Sequence, residues 1–175
     1  MVSSGNGHTK GLPYLLRAVR KLRSDTDVRL TVVGNNDPEA EPVIMAKEYG
    51  LEDSVSFTGK IERDELARLY NTSEIAVVPS LHEGFGFPAA EAMSSRLPVV
   101  STRAGALPEV VGEDGSTGIL VPSHDTDALA AALKHLLDNK QLRQKMGEAG
   151  RKRVVEYFSW RQAALQTVKV YEELL

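Results

Sequence analysis

Cysteine is missing from all 175 residues. Its absence excludes a disulfide framework and any thiolate metal site. Long apolar runs are missing as well: no stretch approaches membrane-spanning length, and none reads as a signal peptide. With 24 acidic and 21 basic residues the net charge is only −3, which gives no electrostatic case for nucleic acid or an anionic membrane as the main partner. No familiar phosphate fingerprint is complete. In Gly5-Asn6-Gly7-His8-Thr9-Lys10 the lysine stands where a dinucleotide fingerprint has its third glycine, and the Gly-Lys-Ser/Thr ending of a P-loop is absent. His82-Glu83 lacks the second histidine of a His-Glu-x-x-His zinc motif, so His82 reads as a polar loop residue. Asp25-Thr26-Asp27 reads as a polar turn before a strand, and no metal is assigned. What these exclusions leave is one ordinary domain, by default expected in the cytosol, with 42% hydrophobic residues for a sizeable core.

What is present is alternation. Residues 28–33, 54–58, 75–78, 98–102 and 117–122 read as strands. Val2-Ser3-Ser4 reads as the end of another whose beginning is missing, so Met1 is expected to mark a boundary rather than a natural start. Leu12, Leu15, Leu16, Val19 and Leu22 repeat at helical spacing. A helix is expected over 37–49, with Gly50 in the left-handed position that ends it and Leu51 covering the end. Others follow at 63–71, after Asp125-Thr126-Asp127 with Leu129, Leu133, Leu136 and Leu137 as the buried face, and at 141–157. Ser159-Trp160-Arg161-Gln162 fits a capping box, and the stripe Trp160, Ala164, Val168, Tyr171 and Leu175 behind it reads most simply as core. The pattern predicts an α/β fold with a mostly parallel sheet, helices on both faces, and ligands at the carboxyl ends of the strands.

The chemistry concentrates in residues 80–93. A buried strand runs into Glu83-Gly84-Phe85-Gly86-Phe87, and Pro88 suits the first turn of a helix. Gly84 and Gly86 let backbone approach a ligand, and free N–H groups around Phe85 to Phe87 suit phosphate or sugar oxygens. Glu83 and Glu91, acceptor-only when ionised, match hydroxyl donors rather than phosphate. Glu91 leans back toward the helix start, over the mouth of the cleft. Together they suit a sugar nucleotide. The bland alternative, two solvated surface glutamates, fits poorly with a Gly-aromatic-Gly turn after a buried strand. Lys10, at a glycine-rich turn before a helix, suits a diphosphate; the alternative is a solvated first-turn lysine.

Glu83-x7-Glu91 enclosing Gly-Phe-Gly, then Glu91-Ala92-Met93, Leu97-Pro98-Val99-Val100 and Gly105-Ala106-Leu107-Pro108-Glu109-Val110-Val111, resembles the nucleotide-sugar half of a retaining family 4 (group 1) glycosyltransferase. The resemblance runs from Lys10-Gly11 to the final helix. It implies one Rossmann-like, three-layer half of a GT-B enzyme over residues 1–175, with helix 159–175 bracing a missing N-terminal acceptor domain. It implies a nucleoside diphosphate sugar (UDP-, GDP- or ADP-linked) as substrate, no cofactor, and catalytic roles for Lys10 on the diphosphate and Glu83 on the sugar. Gly84 to Phe87 would contact donor oxygens, Glu91 the ribose diol, and Gly59, Lys60 and Ile61 the base. The Gly105 loop would line the sugar end of the cleft, while Glu109 is read as capping its own helix. Membrane contact, where the whole enzyme has it, would run through the missing half. Two places depart from the family pattern. Ser4 stands where many members have an arginine, which weakens the phosphate clamp, and Arg96 stands where a glycine is usual. Competing readings are a non-catalytic nucleotide-binding module and an epimerase- or phosphorylase-like GT-B enzyme. The latter needs a pyridoxal-phosphate lysine site or a histidine-rich cleft, and the sequence suggests neither.

Overall fold

The computed structural model describes residues 1–4 and 8–174, so Gly5-Asn6-Gly7 of the glycine-rich turn and Leu175 lie outside the described residues. Among the described residues six parallel strands form the sheet: β1 (Val2–Ser4), β2 (Leu30–Val33), β3 (Val55–Phe57), β4 (Ala76–Val78), β5 (Val99–Thr102) and β6 (Gly118–Val121), in the order β3-β2-β1-β4-β5-β6. The helices are α1 (Leu12–Leu22), α2 (Glu41–Glu48), α3 (Arg63–Thr72), α4 (Phe87–Ser94), α5 (Leu107–Val111), α6 (Thr126–Leu137), α7 (Lys140–Tyr157) and α8 (Trp160–Glu173). This is the three-layer, Rossmann-like α/β/α arrangement that the alternation predicts.

Successive strand residues point to opposite faces, so the sheet divides two cores. On one face Leu30, Val32, Val77 and Val100 meet Leu12, Leu15, Leu16 and Val19 of α1 and Leu129, Leu133 and Leu136 of α6. On the other, Val2, Ala76, Val78 and Val99 meet Ala89, Ala92 and Met93 of α4 and Leu107, Val110 and Val111 of α5. Strands buried on both faces explain why β4 and β5 are unbroken apolar or small-residue runs with no polar alternation.

Three expectations are corrected. Helix α2 begins at Glu41, four residues late, because Asp37 organises a turn of its own. Its side chain accepts from the Glu39 N–H at 2.9 Å, and its carbonyl accepts from Ala40 at 2.9 Å. The stripe on α8 is not core: that helix contains no buried residue, and Trp160 is 93% exposed. The cap that opens it is present, since the Ser159 hydroxyl accepts from the Gln162 N–H. Asp125 likewise caps α6 by accepting from Ala128. The third is Glu109, which does not cap its helix: the N-cap of α5 is Ala106, without a side-chain bond, and its N–H donates to the Glu83 carbonyl, while Glu109 lies in the first turn. Among the described residues no helix is long and apolar enough to cross a membrane.

Candidate functional site

The strand order reverses direction between β1 and β4, the place where a parallel open sheet leaves a crevice at its carboxyl edge. Lys10 follows β1 and Glu83 follows β4, so both key side chains arrive at that switch point. Three loops are fastened together there. The Thr9 carbonyl accepts from the N–H groups of Leu81 (2.7 Å) and His82 (3.3 Å). Gly11, at φ +66°, sits so close to the β4 loop that a Cβ would lie 1.8 Å from the Pro79 oxygen. From the other side Gly105, at φ +54°, approaches until a Cβ would lie 1.9 Å from the Glu83 oxygen, and Ala106 N–H donates to that oxygen at 3.2 Å. Only glycine allows either approach. The expected lining of the sugar end by the Gly105 loop thus takes a specific form: that loop backs the main chain of Glu83.

The Lys10 ammonium donates to Glu83 Oε2 at 2.8 Å, an ion pair across 73 positions of sequence. Ser80 Oγ donates to the same oxygen at 3.0 Å. The Lys10 side chain is one-third exposed and that of Glu83 is 11% exposed. Burial pushes the Glu83 carboxyl up. It is outweighed by hydrogen bonds from Lys10 and Ser80, by the lysine charge and by the Gly86 N–H, which together hold the group below the usual carboxylate range. Glu83 is therefore ionised at neutral pH and serves as an acceptor.

The remaining candidates are distributed around this pair. Gly86, at φ +98°, is the N-cap of α4, with Phe87 and Pro88 in the first turn. The N–H groups of that turn therefore open at the rim where Glu83 stands. Glu91 is exposed on the second turn of the same helix. Phe85 and Phe87 direct their rings elsewhere. They lie 4.6 Å apart, and Phe85 meets Phe158 edge-on at 5.9 Å. These rings join Arg153, Tyr157 and Trp160 around a cavity of about 620 Å³ beside α7 and α8. The Gly59 turn is at the same carboxyl edge but on β3, two strands beyond β1. Gly59 is buried at φ +74° and accepts from Gly34 N–H at 3.1 Å, while Lys60 is exposed and Ile61 half-buried. No group of three or more potential metal ligands occurs among the described residues.

Sequence reasoning gave no part to Ser80, Thr102 or Thr9. Ser80 is 2% exposed and Thr102 4% exposed, and the Thr102 hydroxyl donates to the Ser80 carbonyl. The available signal was a small hydroxyl residue at or just past the carboxyl end of each of two neighbouring buried strands.

The family model for glycosyl transferases group 1 matches residues 2–153. An MMP alpha-(1->4)-mannosyltransferase of Mycolicibacterium hassiacum is 44% identical over 174 residues, which is 99% of this chain and 42% of that protein. The sucrose-phosphate synthase of Thermosynechococcus elongatus superposes with a TM-score of 0.86 at 33% identity, over 99% of this chain and 45% of its own. The solved C-terminal domain of a group 1 glycosyl transferase from Francisella tularensis superposes with a TM-score of 0.79 at 29% identity, over 91% of this chain and 86% of that domain. This chain spans about two fifths of the length of the curated relatives it matches. Its fold is the C-terminal, Rossmann-like half of a GT-B enzyme. With the family match running across residues 2–153, the chain belongs to the group 1 glycosyl transferases.

Proposed function

We propose that this domain binds a nucleoside diphosphate sugar at the β1/β4 switch point and, with an N-terminal acceptor-binding domain, transfers the glycosyl group with retention. The observation that carries the reading is the 2.8 Å contact between Lys10 Nζ and Glu83 Oε2. A cation suited to a diphosphate and a carboxylate suited to sugar hydroxyls stand within one ion pair's reach, as the two halves of such a donor require. An ammonium has three donors, so Lys10 keeps Glu83 while offering the others to phosphate oxygens. Neutralising the diphosphate as it leaves is the electrostatic help this reaction needs most. N–H groups from Phe85 to Phe87 contact donor oxygens, Glu91 accepts from the ribose diol, and Gly59 to Ile61 border the base. Glu83 positions the sugar: a carboxyl held below its usual range is a weak base, and its strength is as an acceptor. The mannosyltransferase named among the relatives supports a hexose as the transferred sugar.

Acceptor binding belongs to the other domain, so these 175 residues alone are expected to show negligible transfer. Calorimetric titration with UDP, GDP and ADP tests the donor site. One of them should bind saturably, about tenfold or more weakly after Lys10→Met or Glu91→Ala, the loss of one hydrogen bond to a charged group. An affinity untouched by both substitutions would remove the site assignment, and failure of all three to bind the folded chain would remove the donor-domain reading.

A further inference from the structure

A carboxylate on a glycine-flanked loop has little intrinsic reason to hold one orientation. Glu83 stands five residues past β4, between the exposed Gly84 and the strand, yet it is fixed from several directions. Lys10 Nζ and Ser80 Oγ both meet Oε2, at 2.8 and 3.0 Å. Ser80 is itself buried and held from below, its carbonyl accepting from the Thr102 hydroxyl. The result is a chain of polar contacts from the end of β5, under the β4 loop, to the charged pair at the rim. The neighbouring Ser101 behaves differently. Its hydroxyl, fully buried, donates to the Val78 carbonyl at 3.1 Å and to the Thr102 carbonyl at 3.3 Å, and bonds to neither Ser80 nor Glu83.

We propose that Ser80 and Thr102 are positioning residues for Glu83, committing Oε2 to protein donors so that Oε1 is presented to a hydroxyl of the donor sugar. The inference rests on the donor-site reading above. Two donors on Oε2 use the acceptor directions of that oxygen, and an incoming hydroxyl is directed to the other one. Without the serine hydroxyl the lysine alone would hold the carboxylate. The glutamate could then follow the lysine toward the diphosphate, and the sugar would lose its acceptor. Thr102 acts only through Ser80, by setting where the serine main chain sits. Among the described residues the charged side chain paired with Glu83 is Lys10; His82, next in sequence, is exposed. The ligand class that fits is a sugar with a free hydroxyl facing Oε1. An ether or deoxy sugar would lose this contact.

The test compares Ser80→Ala, Ser80→Thr and Thr102→Val, with Ser101→Ala as a control that loses a buried hydroxyl away from the carboxylate. Two readouts are taken on the 175-residue chain. Carbon-detected NMR follows the Glu83 carboxyl through its titration, and calorimetry measures UDP, GDP and ADP beside UDP-glucose, GDP-mannose and ADP-glucose. Ser80→Ala should raise the Glu83 titration midpoint and weaken the sugar conjugate about tenfold, while the parent nucleotide stays within about twofold. Ser80→Thr should restore both, Thr102→Val should move both less, and Ser101→Ala should move neither. A merely structural serine would weaken nucleotide and conjugate together, and that result would overturn the inference. So would a midpoint and conjugate affinity that Ser80→Ala leaves unchanged, or that Ser101→Ala shifts equally. If no nucleotide binds the unaltered chain, the donor-site reading falls separately. The titration then decides the positioning on its own: a midpoint raised by Ser80→Ala and restored by Ser80→Thr supports it, and an unmoved one overturns it.

Discussion

At Glu83, burial and hydrogen bonding pull in opposite directions, and hydrogen bonding wins. A carboxyl whose pKa is lower folded than unfolded adds stability above the unfolded value, about 4.3 for glutamate. That stability is lost as pH falls through the folded value. Urea unfolding of the unaltered chain and of Glu83→Gln should therefore differ most at neutral pH and converge below about pH 4.3. Exposed Asp114, whose carboxyl is also lowered by its bonds to Ser116, is common to both chains and cancels from the difference. A gap that stays constant down to pH 3 would contradict the shift. Gly11 and Gly105 offer a second residue-scale check. Alanine at either site meets a main-chain oxygen within 2 Å in a left-handed conformation, and should cost about 3 kcal/mol or more by urea unfolding. Gly50→Ala, also left-handed but with nothing nearby, should cost about 1–2 kcal/mol. Lys10 and Glu83 were legible in the sequence as types suited to phosphate and hydroxyl. Their contact was not, because it depends on β1 lying beside β4, and nothing local to either segment specifies that neighbour.

Helix endings show what local sequence does and does not reveal. Helix α2 ends in a Schellman motif: Leu51 N–H bonds to the Ala46 carbonyl and Gly50 N–H to that of Lys47, both at 2.9 Å. Gly50 announced it. Helix α4 ends in the same motif, with Leu97 N–H on Ala92 and Arg96 N–H on Met93, both at 3.0 Å. Here the left-handed position belongs to Arg96, at φ 60°, so the sequence carried no glycine signal except by comparison with the family pattern. Relieving that conformation should outweigh the exposed Arg96–Glu148 ion pair, and Arg96→Gly is expected to raise stability by up to about 1 kcal/mol in urea unfolding. Destabilisation would mean that the ion pair dominates. Helix α8 teaches the opposite lesson. Helical spacing reveals that a face is apolar, not what covers it, and here no residue of the helix is buried. Ending the chain at Phe158 should leave cooperative unfolding intact, within about 1 kcal/mol. Loss of the transition would show that α8 belongs to the core after all.

For the whole molecule, alternating strands and helices predicted a parallel sheet with the ligand at its carboxyl edge, because period and turn residues are local. The order β3-β2-β1-β4-β5-β6 is not local, and it decides which loops meet. It joins the Lys10, Glu83 and Gly105 loops and leaves the Gly59 turn two strands away. That geometry separates two places of different chemistry: the polar rim at the switch point, where Lys10 meets Glu83, and the aromatic cavity of about 620 Å³ beside α7 and α8. The proposed donor site is the first. The most direct test is amide NMR of the chain titrated with the nucleotide that binds in calorimetry. The predicted result is that the largest shifts fall on Lys10, Gly84, Phe85, Gly86 and Phe87, with smaller ones at Gly59 and Lys60. Shifts concentrated instead between Phe158 and Gln166, with the Lys10 and Gly84 amides unmoved, would put the ligand in the aromatic cavity and contradict the account.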